Sequence, residues 1–107
     1  MDFSELLKES KALVFDLLRP GDDNYFEAVI LNDGLPGLTV ILEKYFGKAV
    51  FPSDAGLSKE IDKELNSLGG IMPGQTLYFL KQQGEVIFAM LWPWQDGKRT
   101  TVKISKK

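Results

Sequence analysis

Trp92-Pro93-Trp94 is the run of the chain best equipped for recognition. In an extended backbone, residues two apart share a side, so both indoles project together. Pro93 has no amide to donate, so strand pairing is expected to lapse there. Gln95, Asp96, Lys98 and Arg99 follow within five residues. Large aromatic faces beside polar groups suit a partner protein, a flat ligand or a peptide. Aromatics in a basic groove also stack single-stranded nucleic acid. The competing reading has the tryptophans roofing the core at the end of a sheet. Tyr78, on a neighbouring strand, is expected in the core or at its edge. The candidate binding set is Trp92, Trp94, Tyr78, Gln95, Lys98 and Arg99, with no catalytic and no metal-ligating residue assigned.

Three other groupings have ordinary structural explanations. Glu27 interrupts an apolar segment and Glu85 opens an apolar strand. Two carboxylates run glycoside or proton-transfer chemistry only when burial separates their pKa values and the fold brings them together. Asp22, Asp23 and Asp33 offer hard oxygen donors, but their spacing misses the pattern of an EF-hand loop. Aspartates in turns commonly bond neighbouring amides instead. The glycine-rich run from Gly69 to Gly74 leads from a helix into a strand. A phosphate cradle needs the opposite order, with the loop opening a helix.

The chain contains no histidine and no cysteine. That removes Ser-His and Cys-His nucleophile pairs, disulfides and thiolate-bound metals. No cofactor is expected. The 107 residues, 44% hydrophobic and 26% charged, fit one soluble domain spanning 1–107. A net charge of −2 argues against a dedicated nucleic-acid binder. The charge is uneven. Residues 1–56 hold five Lys/Arg against ten Asp/Glu, and residues 57–107 hold eight against five. The basic C-terminal end offers a weaker nucleic-acid alternative, although its lysines also suit a solvated, peripheral strand. There is no basic leader and no apolar run long enough to span a bilayer, so a cytoplasmic protein is expected.

Periodicity supplies the elements that must position these residues. Apolar spacing predicts a first helix over residues 3–18, with Asp2 as its cap and Asp16 paired to Arg19. Residues 25–31 read as a strand, with a helix as the alternative. Leu38, Ile41, Leu42, Tyr45 and Phe46 form the stripe of a second helix over residues 35–46, with Asp33 as candidate cap and Gly47 as exit. A short strand at residues 49–51 would complete a strand–helix–strand unit with right-handed crossover. A third helix is expected over residues 57–68, with Ser58 as cap and Leu57, Ile61, Leu65 and Leu68 inward. Strands at 76–82, 85–92 and 100–105, joined at Gln83-Gly84 and Asp96-Gly97, read as an antiparallel meander. Residues 86–92 are uninterruptedly apolar, as in a strand buried on both faces.

The fold expected is therefore α+β, a small sheet ending in a three-stranded meander with about three helices packed mainly on one face. Two functions remain open. One is a non-catalytic interaction or regulatory module, expected as a homodimer because the central strand needs cover on both faces. The other is a small-molecule-binding domain, or an enzyme without His or Cys, with a pocket near Trp92 and Trp94. Because only scattered carboxylates are available to a metal, thermal unfolding with and without a chelator is expected to give the same midpoint. A drop of several degrees on chelation would contradict this.

Overall fold

The computed structural model describes residues 1–52, 58–67 and 70–107. The described residues form an α+β fold, with three α-helices and a five-stranded antiparallel sheet. In chain order the elements are α1 (Phe3–Lys11), β1 (Leu17–Leu18), β2 (Tyr25–Leu31), α2 (Leu35–Phe46), α3 (Lys59–Ser67), β3 (Thr76–Gln82), β4 (Glu85–Pro93) and β5 (Arg99–Lys106). The sheet order is β1-β2-β5-β4-β3, so β5 lies between the strand before α2 and the strand it follows.

Residues 25–31 form the strand, β2, and the helical alternative is not adopted. The first helix is shorter than its periodicity suggests. Asp2 caps it, accepting from the Glu5 amide at 3.1 Å, but it ends at Lys11 rather than near Leu18. The chain then turns to serve the free edge of β2. The Asp16 amide donates to the Val29 carbonyl at 2.8 Å and the Arg19 amide to the Glu27 carbonyl at 3.1 Å. Continued helix would satisfy residues 12–18 locally and leave those strand carbonyls, one of them on fully buried Val29, without their partners. Asp16 and Arg19 accordingly do not pair with each other. Asp16 meets Arg99, and Arg19 meets Glu27.

Asp33 does not cap α2. It lies inside a one-turn 3-10 helix, Asn32–Gly34, that runs directly into α2. Gly47 ends α2 at φ 79, and Ser58 accepts from the Ile61 amide at 3.2 Å. Leu57, Leu68 and Gly69 lie outside the described residues. The expected strand–helix–strand unit does not form, because Phe51 bridges antiparallel to Leu77 at the far edge of the sheet from β2. Gln83 and Gly84 both adopt positive φ, the geometry of a tight hairpin turn matched to strand twist.

Strand register assigns each side chain to a face. Phe26, Ala28, Ile30, Tyr78, Ile87, Ala89, Leu91, Val102 and Ile104 share the first face and pack with Phe3, Leu6 and Leu7 of α1 and Leu38 and Leu42 of α2. On the second face, Leu77, Phe88 and Met90 pack with Leu65 of α3. The helices thus divide, α1 and α2 on one side and α3 on the other. β4 is buried on both faces, as its unbroken apolar run requires.

The last residues are not peripheral. The Lys106 amide donates to the Asn24 carbonyl at 2.9 Å, and Lys107 exchanges backbone bonds with Val86 at 2.8 and 3.3 Å. Deleting residues 106–107 is therefore expected to cost about 2 kcal/mol, the sum of a few net backbone hydrogen bonds. Urea unfolding checks this, and a loss below about 0.5 kcal/mol would mark the tail as solvated surface.

Candidate functional site

The Trp92–Arg99 connection is built by a dense set of short-range bonds. The Trp94 amide donates to the Arg99 carbonyl at 2.8 Å, and the Gly97 amide to the Trp94 carbonyl at 3.2 Å. The Asp96 carboxylate accepts from the Lys98 amide at 2.8 Å, the Arg99 amide at 3.1 Å and Arg99 Nη1 at 2.7 Å. The Lys98 amide, followed by the Arg99 guanidinium and amide, holds the Asp96 carboxyl below its ordinary pKa. Arg99 also bonds Asp16 Oδ2 through Nε at 2.9 Å, and the two carboxylates raise its already high pKa.

Asn32 ties this turn to the end of β2. Its amide donates to the Lys98 carbonyl at 2.8 Å, its Nδ2 to the Gly97 carbonyl at 3.1 Å, and its Oδ1 accepts from the Thr100 hydroxyl at 2.8 Å. Thr100 is only 1% exposed, so that hydroxyl depends on Asn32.

Both tryptophans lie on the second face beside Thr101. Trp92 sits opposite Thr101 in the β4–β5 register, and Trp94 Nε1 donates to the Thr101 hydroxyl at 2.8 Å. Trp92 is half-buried, with the Lys103 ammonium 4.1 Å from its ring centre. Its Nε1 is buried and unpartnered among the described residues. Trp94 is exposed, and the Arg99 guanidinium lies 5.8 Å from its ring centre. The two indoles, Pro93, Gln95 and Thr101 form one wall of a groove of about 460 Å³, and residues 72–75 form the other. That second wall is set by Gln75, whose side chain accepts from the Met72 amide at 2.8 Å.

Of the expected set, Trp92, Trp94, Gln95, Lys98 and Arg99 therefore gather at one end of the sheet. Tyr78 does not join them. It is 3% exposed on the first face against Phe46, where burial raises its phenol pKa. Glu27 and Glu85 are also separated, because register puts Glu27 on the second face and Glu85 on the first, with β5 between their strands. No acid–base pair of carboxylates results. Asp22 accepts from the Asn24 amide at 2.7 Å, an ordinary turn bond.

Sequence pattern alone does not single out Leu17 or Leu31. Leu31 lies opposite Arg99, and Leu17 lies diagonal to Leu31 on the same face; both are 46% exposed. Together Leu17, Leu31, Arg99 and Trp94 make a continuous strip along the end of the second face. Next to it, Glu27 accepts from the Tyr25 hydroxyl, meets Arg19 Nε at 2.8 Å and lies 4.0 Å from Lys103 Nζ. Burial first, and then Glu27, push the Tyr25 phenol up to about 12, so it stays a donor at neutral pH. Tyr25, Trp92, Lys103, Phe88 and Met90 enclose a hollow of about 230 Å³, smaller than the roughly 300 Å³ at which ligand pockets begin. Period-two alternation carried across the Asp96-Gly97 turn would have placed Thr101 beside Trp92; nothing local marks Leu17 or Leu31.

Comparison with protein-family models, with curated proteins and with solved structures finds no match.

Asn32→Ala is expected to destabilise the fold by about 1–3 kcal/mol, because it strands the buried Thr100 hydroxyl. Adding Thr100→Val should recover part of that loss. Urea unfolding of the two variants checks it, and no recovery would assign the role of Asn32 to its Lys98 and Gly97 bonds alone.

Proposed function

We propose that this protein is a non-catalytic interaction module that works as a homodimer through the tryptophan end of its sheet. The observation that carries the reading is the strip of Leu17, Leu31, Arg99 and Trp94. It places three exposed apolar side chains around an arginine, on backbone already fixed by the Asn32 and Asp96 bonds. Trp and Arg are enriched among residues that dominate interface energy, and a pre-set surface loses little entropy on docking. A two-fold pairing would set each strip against its mate and cover Trp94, the groove wall and the outward side of β4 near Trp92. The dispersal of the carboxylates and the burial of Tyr78 on the other face both weigh against catalysis.

The groove of about 460 Å³ supports a second reading, a small apolar ligand or peptide held between Trp92, Trp94 and the 72–75 wall. Nucleic-acid contact is disfavoured because the basic C-terminal residues do not form one surface. Arg99 and Lys103 lie on the second face in contact with Asp16 and Trp92, whereas Lys106 lies on the first beside Phe3.

Sedimentation equilibrium at micromolar concentration is expected to show a monomer–dimer equilibrium. Trp94→Ala should weaken it by about 30-fold or more, the scale of a central interface residue. Leu31→Asp, which leaves the Thr101 bond intact, should do the same without loss of folding. A single 12.0 kDa species at all concentrations would end the homodimer reading.

A further inference from the structure

We infer that the concave surface between α1, the loop before β2 and the end of β5 binds a small phosphoryl-bearing anion. It is a shallow, open hollow of about 650 Å³, and its polar lining is Ser4, Lys8, Lys11, Asp23, Asn24 and Lys106. Ser4, Lys8 and Lys11 recur at i, i+4 and i+7, so one face of α1 presents a hydroxyl and two ammonium groups to the hollow. Lys106 reaches it from a different element, its ammonium 5.5 Å from the Phe3 ring centre. The backbone bond from Lys106 to the Asn24 carbonyl fixes these two walls relative to each other.

The charge balance sets the class of ligand. Three ammonium groups face one carboxylate, Asp23, among the lining residues. Among the described residues, neither Lys8 nor Lys11 has a carboxylate within 4.0 Å, and Lys106 lies 4.0 Å from Glu85, which is not part of the lining. Lysines in the last turn of a helix also answer its dipole, but that effect asks nothing of Lys106. The same dipole places about half a negative charge near Ala12, which the three cations outweigh.

A surplus of one sign of charge around an open hollow raises the local concentration of anions, most at low ionic strength. Lysine ammonium groups act as compact point charges that donate in several directions, which suits the tetrahedral oxygens of a phosphoryl group. The volume exceeds a bare phosphate and leaves room for an organic substituent over Leu7, which closes the floor. The site lies at the opposite end of β5 from the tryptophan strip, about 23 Å along the strand. It therefore stands or falls independently of the dimer.

Inorganic pyrophosphate, titrated into the intact chain at low ionic strength and followed by amide NMR shifts, tests the proposal. Saturable shifts confined to residues 4–12, 23–24 and 105–107 are expected, weakening as salt is added. Lys8→Gln with Lys11→Gln should lower the affinity at least about tenfold, equivalent to about 1.4 kcal/mol. Each single variant, available if the double one fails to fold, should lower it by about threefold. Asp23→Asn should tighten binding, and Lys59→Gln with Lys63→Gln on α3 should leave it unchanged. Shifts that do not saturate, that follow lysines over the whole surface, or that the α3 variant weakens as much as the α1 variant would overturn the site.

Discussion

Seven successive pairs between β2 and β5, from Tyr25 opposite Ser105 to Leu31 opposite Arg99, hold the two halves of the chain in one sheet. Nearly every other feature depends on that pairing. It brings Phe26, Ala28 and Ile30 alongside Val102 and Ile104, which completes the surface that α1 and α2 cover. It sets Leu31 beside Arg99 at one end and Asn24 beside Lys106 at the other, so both candidate sites are assembled across it. β5 is in turn fixed by β4, whose burial on both faces forces it into the interior of the sheet.

The uneven charge of the chain has a counterpart along the same seam. The acidic first half and the basic second half meet where Asp16 bonds Arg99 and Glu27 lies near Lys103. Each contact is partly exposed and individually weak. Their common sign still favours the observed register over a slipped one, since a one-residue slip would move every charge to the opposite face. Lys103 adds a second role by lying over the Trp92 ring, which shields the half-buried indole that packs against the cluster around Leu65 of α3.

Elements with strong local signals were legible in the sequence. The unbroken apolar run of β4, the Gln83-Gly84 turn, the stripe of α2 and its glycine exit all carry their information within a few residues. Periodicity over-extends α1 because Val14, Leu17 and Leu18 keep a helical spacing, while what stops the helix is the remote edge of β2. The pairing of residues 49–51 is illegible for the same reason, as the bridge partner of Phe51, Leu77, lies across the sheet. At the site, the tryptophans and their polar neighbours could be read from adjacency. Tyr78 could not be placed, because alternation says that residues of one strand share a face but not which face. Leu17 and Leu31 became part of a surface only through register.

The central pairing also sets a schedule for synthesis. Asn32 and Thr100, bonded across that seam, are 68 residues apart in the chain. At ordinary translation speeds of about 5–20 residues per second, β2 waits roughly 3 to 14 s for its partner to be made. During that interval α1, β1, β2 and α2 have no second half on which to close, and their apolar faces stay available to chaperones or to other nascent chains. Contacts this distant in sequence also raise the entropic cost of closing the sheet, which slows refolding. The burden of avoiding misassociation therefore falls on the acidic first half, whose charge surplus keeps neighbouring copies apart until the basic strand arrives to neutralise it.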